Sequence, residues 1–182
     1  MSTHERATAK PTSTTSPRHR ESSVPAIVHE VLRAPGQPLD FQTRGFMEGK
    51  FGHDFSKVRI HADAKAGASA GAVDSLAYTV GNNLVFASGQ YSPRTAAGTR
   101  LLAHELTHVV QQGSNRSAMQ HSLAIGQPND RYEQEADRMA AFITSAGRGT
   151  EQPAPAISSL PGGHVQRACS SCKADEDEKD KT

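Results

Sequence analysis

The sequence predicts an α+β domain in which a small β-sheet carries two principal helices. Three features predict it: a period-two run at residues 57–61, a pair of β-rich runs at 77–80 and 84–87, and two helical stretches at 93–112 and 131–146 with start and stop signals. At 182 residues the chain suits one domain with tails.

Taken in order, residues 2–23 hold ten Ser/Thr and two prolines with almost no large apolar side chain, too little burial to offset chain entropy. Residues 1–23 are therefore expected to be a disordered leader, and 24–147 the folded domain. Lys57-Val58-Arg59-Ile60-His61 alternates as a half-buried strand does. Residues 62–76 are alanine-rich, with Ala66, Ala70, Val73 and Ala77 at helical spacing, which predicts a helix. The runs 77–80 and 84–87 flank Gly81-Asn82-Asn83, a turn-prone triplet, and so predict a hairpin, one strand of which is a candidate sheet edge. Ser92-Pro93 offers an N-cap and first-turn proline for a helix that Gly113 stops. Pro128-Asn129-Asp130 and Gly147 bracket the second helix. Beyond it, residues 148–182 are expected to form a Pro/Ala-rich linker and an acidic tail, 173–182 holding five acids and three lysines.

Charge excludes some functions. Twenty Lys+Arg against nineteen Asp+Glu give a net charge of +1, and no dense basic patch suits a phosphate backbone, so no nucleic-acid partner is implied. No apolar run approaches the ~20 residues of a membrane span, and residues 1–10 lack the apolar core of a secretory signal. Synthesis in the cytoplasm is expected, with any export by another route.

The chemistry gathers at His104-Glu105-Leu106-Thr107-His108, an H-E-x-x-H pattern. Residues four apart share one helical face, so the two imidazoles can hold one cation. Leu102, Leu106, Val109 and Val110 form an apolar stripe, and His104, Glu105 and His108 are expected on the opposite, presented side. A catalytic zinc takes three protein ligands and a water, whose proton Glu105 is placed to accept.

The third ligand is sought on the second helix. Glu133 and Asp137 are i, i+4 neighbours, a like-charge pair that a nearby cation relieves. We assign Glu133 as ligand, with Asp137 accepting an N–H from a ligating histidine. Two rival readings stand beside this: Asp130 and Glu133 fit a capping box, and Glu135 is an alternative ligand. A peptidase also needs an oxyanion donor, for which Tyr78, Tyr91 and His121 are candidates, and a strand edge for the substrate, for which residues 84–87 are. Packing is the commoner fate of such tyrosines, and His53 and His61 read as structural. Cys169-Ser170-Ser171-Cys172, near His164, forms a tail C-x-x-C of unknown purpose, whose two thiols suit either half of a zinc site or a redox pair such as a reversible disulfide.

Several motifs in order carry a resemblance: the run from Phe51 to His61, Tyr78-Thr79-Val80-Gly81, the run from Leu101 to Gln112, and Ile125-Gly126-Gln127-Pro128 leading to Glu133-Gln134-Glu135-Ala136-Asp137. Together they resemble the eCIS core domain, a metallopeptidase-like family of unknown function found in proteins associated with extracellular contractile injection systems and bacterial toxins. The resemblance implies a zincin-like fold and a gluzincin-type site, with Zn2+ on His104, His108 and Glu133 and Glu105 as base. It implies a protein or peptide substrate and injection-system components as partners. With no toxin domain after Gly147, it favours an accessory or cargo protein, and a non-catalytic docking or cargo-loading module is the alternative to a peptidase.

Overall fold

The computed structural model describes residues 24–113, 123–126, 130–145, 154–160 and 164–169. The predicted leader, His121, Cys172 and the acidic tail lie outside them.

Two short helices come first, α1 (Ala26–Arg33) and α2 (Phe41–Phe51). The Asp40 carboxylate caps α2 by accepting from the Thr43 N–H. Strand β1 (Arg59–His61) follows, then α3 (Ala64–Ala72), capped by Asp63. The predicted helix over 62–76 is cut short. Val73 caps α3 and Asp74 turns the chain through a positive φ of 51°, so Leu76 enters strand β2 (Ser75–Val80) instead. Hairpin pairing with β3 (Asn83–Phe86) is antiparallel as expected, and Gly81 supplies the positive φ of its turn.

The long helix α4 (Ala96–Gln112) starts later than Ser92-Pro93 predicts. Thr95 is the cap, its hydroxyl accepting from the Gly98 N–H. Ser92 instead forms the preceding turn, its carbonyl accepting from the Thr95 backbone and side chain. This turn lies so close to the helix that a Cβ at Gly98 would come 2.0 Å from the Ser92 oxygen. Gly98→Ala is therefore expected to lower stability by about 1–3 kcal/mol, the usual cost of overpacking, despite alanine's better helix propensity. Denaturant unfolding measures it, and an unchanged midpoint would count against this packing.

Strand β4 (Ala124–Ile125), helix α5 (Arg131–Ser145) and strand β5 (His164–Cys169) complete the fold. The strand order is β1-β3-β2-β5-β4. Antiparallel pairing of β5 with β2 means that the sheet recruits residues beyond the boundary expected at Gly147. Both hairpin strands are interior, β3 lying between β1 and β2, so residues 84–87 do not offer the free edge proposed for a substrate.

Alternation sorts the sheet's side chains onto two faces. Tyr78, Val80, Val85 and Val165 meet α1 and α3 in one core, whereas Ala77, Leu84 and Phe86 meet Met47 of α2, Leu102 and Leu106 of α4 and Met139 of α5 in the other. The result is a three-layer sandwich. Among the described residues no helix is long and apolar enough to cross a membrane.

Candidate metal centre

Helices α4 and α5 pack side by side over the second core, and the H-E-x-x-H residues lie on the buried middle of α4. The sequence suggested that one face would be presented to solvent. Instead every residue from Leu102 to Val109 is buried. Helix α5 covers the histidines, and Glu105 turns toward the sheet rather than sharing their side of the helix, so its Oε2 accepts from the Thr79 hydroxyl at 2.6 Å. A polar face can be buried in this way because most of its polar atoms find partners.

Those partners define the centre. Nε2 of His104 and Nε2 of His108 are 3.1 Å apart. The Glu133 carboxylate straddles them, with Oε2 3.2 Å from the first and Oε1 3.3 Å from the second. Behind the rings, His104 Nδ1 lies 3.0 Å from Asp137 Oδ1, and His108 Nδ1 lies 2.7 Å from Gln111 Oε1. Carboxylate and amide oxygens only accept, so both Nδ1 atoms donate. In the neutral rings this leaves two Nε2 lone pairs facing each other and a carboxylate.

Three electron-rich atoms so close together require a proton or a cation between them. The spacing suits a cation: ligands about 2.0–2.1 Å from a tetrahedral ion lie roughly 3.3–3.4 Å apart. His104, His108 and Glu133 thus form a buried group that could hold a metal ion. A second feature fits the same group. Glu105 Oε1, on the residue after His104, is buried without a hydrogen-bond partner among the described residues and is an uncommitted acceptor.

The electrostatics follow from this crowding. Burial opposes charge on His104, but the Asp137 and Glu133 carboxylates outweigh it and push the imidazolium pKa up to about 10. Burial likewise opposes charge on Glu133, yet the two histidines bring its pKa down to about 2. Burial raises the Glu105 carboxyl against the opposing pull of His104, His108 and the Thr79 hydroxyl.

The rival candidates make other contacts. Asp130 caps α5 through the N–H groups of Tyr132 and Glu133, while the Glu133 side chain turns to the histidines rather than completing a capping box. Glu135 accepts from Gln111 Nε2, the Ser158 N–H and the Ser158 hydroxyl, and is not part of the three-residue cluster. Tyr78, a candidate oxyanion donor, lies on the opposite face of the sheet; its hydroxyl is 2.7 Å from Ser69 Oγ, and burial pushes its pKa up to about 12. Tyr91 packs on Phe86, with ring centroids 5.1 Å apart. His61 bonds Asn83 at 3.1 Å and His53 packs on Phe55, both as structural histidines do.

Two residues of the centre were not singled out from sequence. Thr79 was legible in principle, because alternation from Tyr78 points it at α4. Gln111 was also within reach, three residues past His108 on the same helical face.

Compared with known proteins, residues 38–116 match the family model of the eCIS core domain. That stretch runs from just before α2 past the end of α4, so it includes His104, Glu105 and His108 and stops before Glu133. No curated protein and no solved structure matches the chain. Over those 79 matched residues the chain is similar to the eCIS core domain, and α5, with Glu133, lies beyond the similarity.

Proposed function

We propose that the chain is a zinc-dependent, zincin-like hydrolase of peptide bonds that serves an extracellular contractile injection system. The observation that carries this is the convergence of His104, His108 and Glu133 beside a buried Glu105 with one uncommitted oxygen. Three protein ligands, rather than four, are the mark of a catalytic site. The match to the eCIS core domain supports the association with injection-system components.

A bound zinc ion supplies Lewis acidity, acidifying water and polarising a substrate carbonyl. The chain's own groups do the rest. His104 and His108 are fixed as Nε2 donors of electron density by Asp137 and Gln111. Thr79 holds one oxygen of Glu105, so the other is left to take a proton from the attacking water and return it to the leaving amine. Burial raises the Glu105 carboxyl, which makes it a stronger base than an exposed glutamate.

Glu105→Gln tests the assignment. The variant is expected to keep its zinc by elemental analysis and to lose peptide cleavage by about 10²–10⁴-fold, the usual contribution of a general base. Cleavage at the wild-type rate would overturn the role of Glu105.

One observation favours a second reading: the side chains of Glu105 and His108 have no exposure to solvent. A zinc buried there could instead clamp α4 to α5 in a docking or cargo-loading module. Stoichiometric zinc, no cleavage of a peptide library and co-purification with injection-system components would select that reading.

A further inference from the structure

Residues 154–160 form no helix or strand, yet they are held firmly against α4 and α5. The Ser158 N–H donates to Glu135 Oε2 at 2.9 Å and its hydroxyl to Glu135 Oε1 at 2.7 Å. The Leu160 N–H donates to the Gln111 carbonyl at 2.6 Å, and Ile157 packs on the core beneath α4 and α5. The same Glu135 Oε2 also accepts from Gln111 Nε2 at 3.2 Å, and that amide nitrogen donates to the Tyr132 carbonyl at 3.0 Å. With Nε2 held between two acceptors, the Gln111 amide has one acceptable orientation. The flipped amide would set its oxygen against a carbonyl and a carboxylate, and its NH2 against the His108 N–H. Oε1 is therefore directed at His108 Nδ1, 2.7 Å away.

An unbroken line of hydrogen bonds thus runs from Ser158 through Glu135 and Gln111 to an imidazole of the metal centre. We infer that Gln111 and Glu135 form a positioning relay by which the docked segment 154–160 fixes the His108 ring and sets how tightly the centre holds a divalent ion. The inference rests on reading His104, His108 and Glu133 as ligands. It deepens that reading, because it makes metal retention depend on a segment outside the stretch similar to the eCIS core domain.

The test uses the full chain and cobalt(II) or zinc alone, with affinity from chelator competition and the cobalt d–d spectrum as a report on ligand geometry. Loss of partners behind metal ligands costs ~10–100-fold in affinity, and Gln111→Leu is expected to fall in that range with a shifted cobalt spectrum. Glu135→Ala should weaken binding toward the lower end of the range, and should add nothing when combined with Gln111→Leu. Gln111→Glu keeps an acceptor for His108 Nδ1 but sets its second oxygen against the Tyr132 carbonyl and the Glu135 carboxylate, so it too should weaken binding and shift the spectrum. If Gln111→Leu does not fold, Gln111→Glu and Glu135→Ala carry the test. Wild-type protein that binds neither ion would overturn the ligand assignment itself. Wild-type binding, with Glu135→Ala unchanged in affinity and spectrum or equally damaging in both backgrounds, would overturn the relay alone.

Discussion

Glu133→Ala is expected to reduce zinc affinity by more than about 100-fold, beyond the loss caused by residues that merely orient a ligand. The carboxylate bridges both Nε2 atoms at 3.2 and 3.3 Å, so its removal leaves two imidazoles and no third donor among the described residues. A capping role predicts a different result. Loss of a cap costs about 1 kcal/mol of stability and leaves metal binding alone. In this fold that role belongs to Asp130, whose Oδ1 accepts from the Glu133 N–H at 3.0 Å whatever the side chain at 133. Asp130→Ala should therefore lower the unfolding midpoint of metal-free and zinc-loaded protein alike, whereas Glu133→Ala should abolish the zinc-dependent part of the stability. Chelator competition and thermal unfolding with and without zinc separate the two, and wild-type zinc affinity in Glu133→Ala would remove Glu133 from the centre.

The parts of this centre that were readable in sequence are those fixed by helical periodicity. His104 and His108 must share a face of α4, and Glu133 and Asp137 a face of α5, whatever those helices pack against. What periodicity does not specify is the rotation of each helix about its axis in the assembled core. Glu105, one residue from His104, faces β2 instead of the histidines' partner helix because Leu102, Leu106 and Val109 are drawn into the core under α4. The same limit explains β5. His164–Cys169 is short, follows Pro161-Gly162-Gly163 and carries mixed polar and apolar residues, so composition places it in a tail; its long-range pairing with β2 and β4 makes it a strand. Interior placement of the hairpin depends on that pairing too. The segment 154–160 reads as linker for a similar reason, since its order comes from Glu135 and Gln111 and not from its own propensities.

Zinc affinity is expected to rise about tenfold per pH unit between roughly pH 6.5 and 9, because the ion must displace the His104 proton. With its pKa pushed up to about 10, His104 in the metal-free protein holds a proton on Nε2 throughout that range, shared with Glu133. The same proton stabilises the metal-free fold. Its pKa lies above the ordinary 6.5, so its contribution is complete below 6.5 and is lost as pH rises through about 10. Glu133 has the opposite sign: lowered from 4.5 to about 2, it contributes above 4.5 and is lost as pH falls toward 2. The centre thus favours the metal-free fold most between about pH 4.5 and 6.5, below the range over which zinc binding strengthens. Above that window the proton leaves more readily and the ion takes over, so the gap in melting temperature between zinc-loaded and metal-free protein should widen from pH 6.5 to 9. Calorimetric titration in buffers of different ionisation enthalpy counts the protons released, and one per zinc is expected at pH 7.5. Zero release, with affinity flat across this range, would mean that the two imidazoles and the carboxylate do not share a proton that a metal ion can replace.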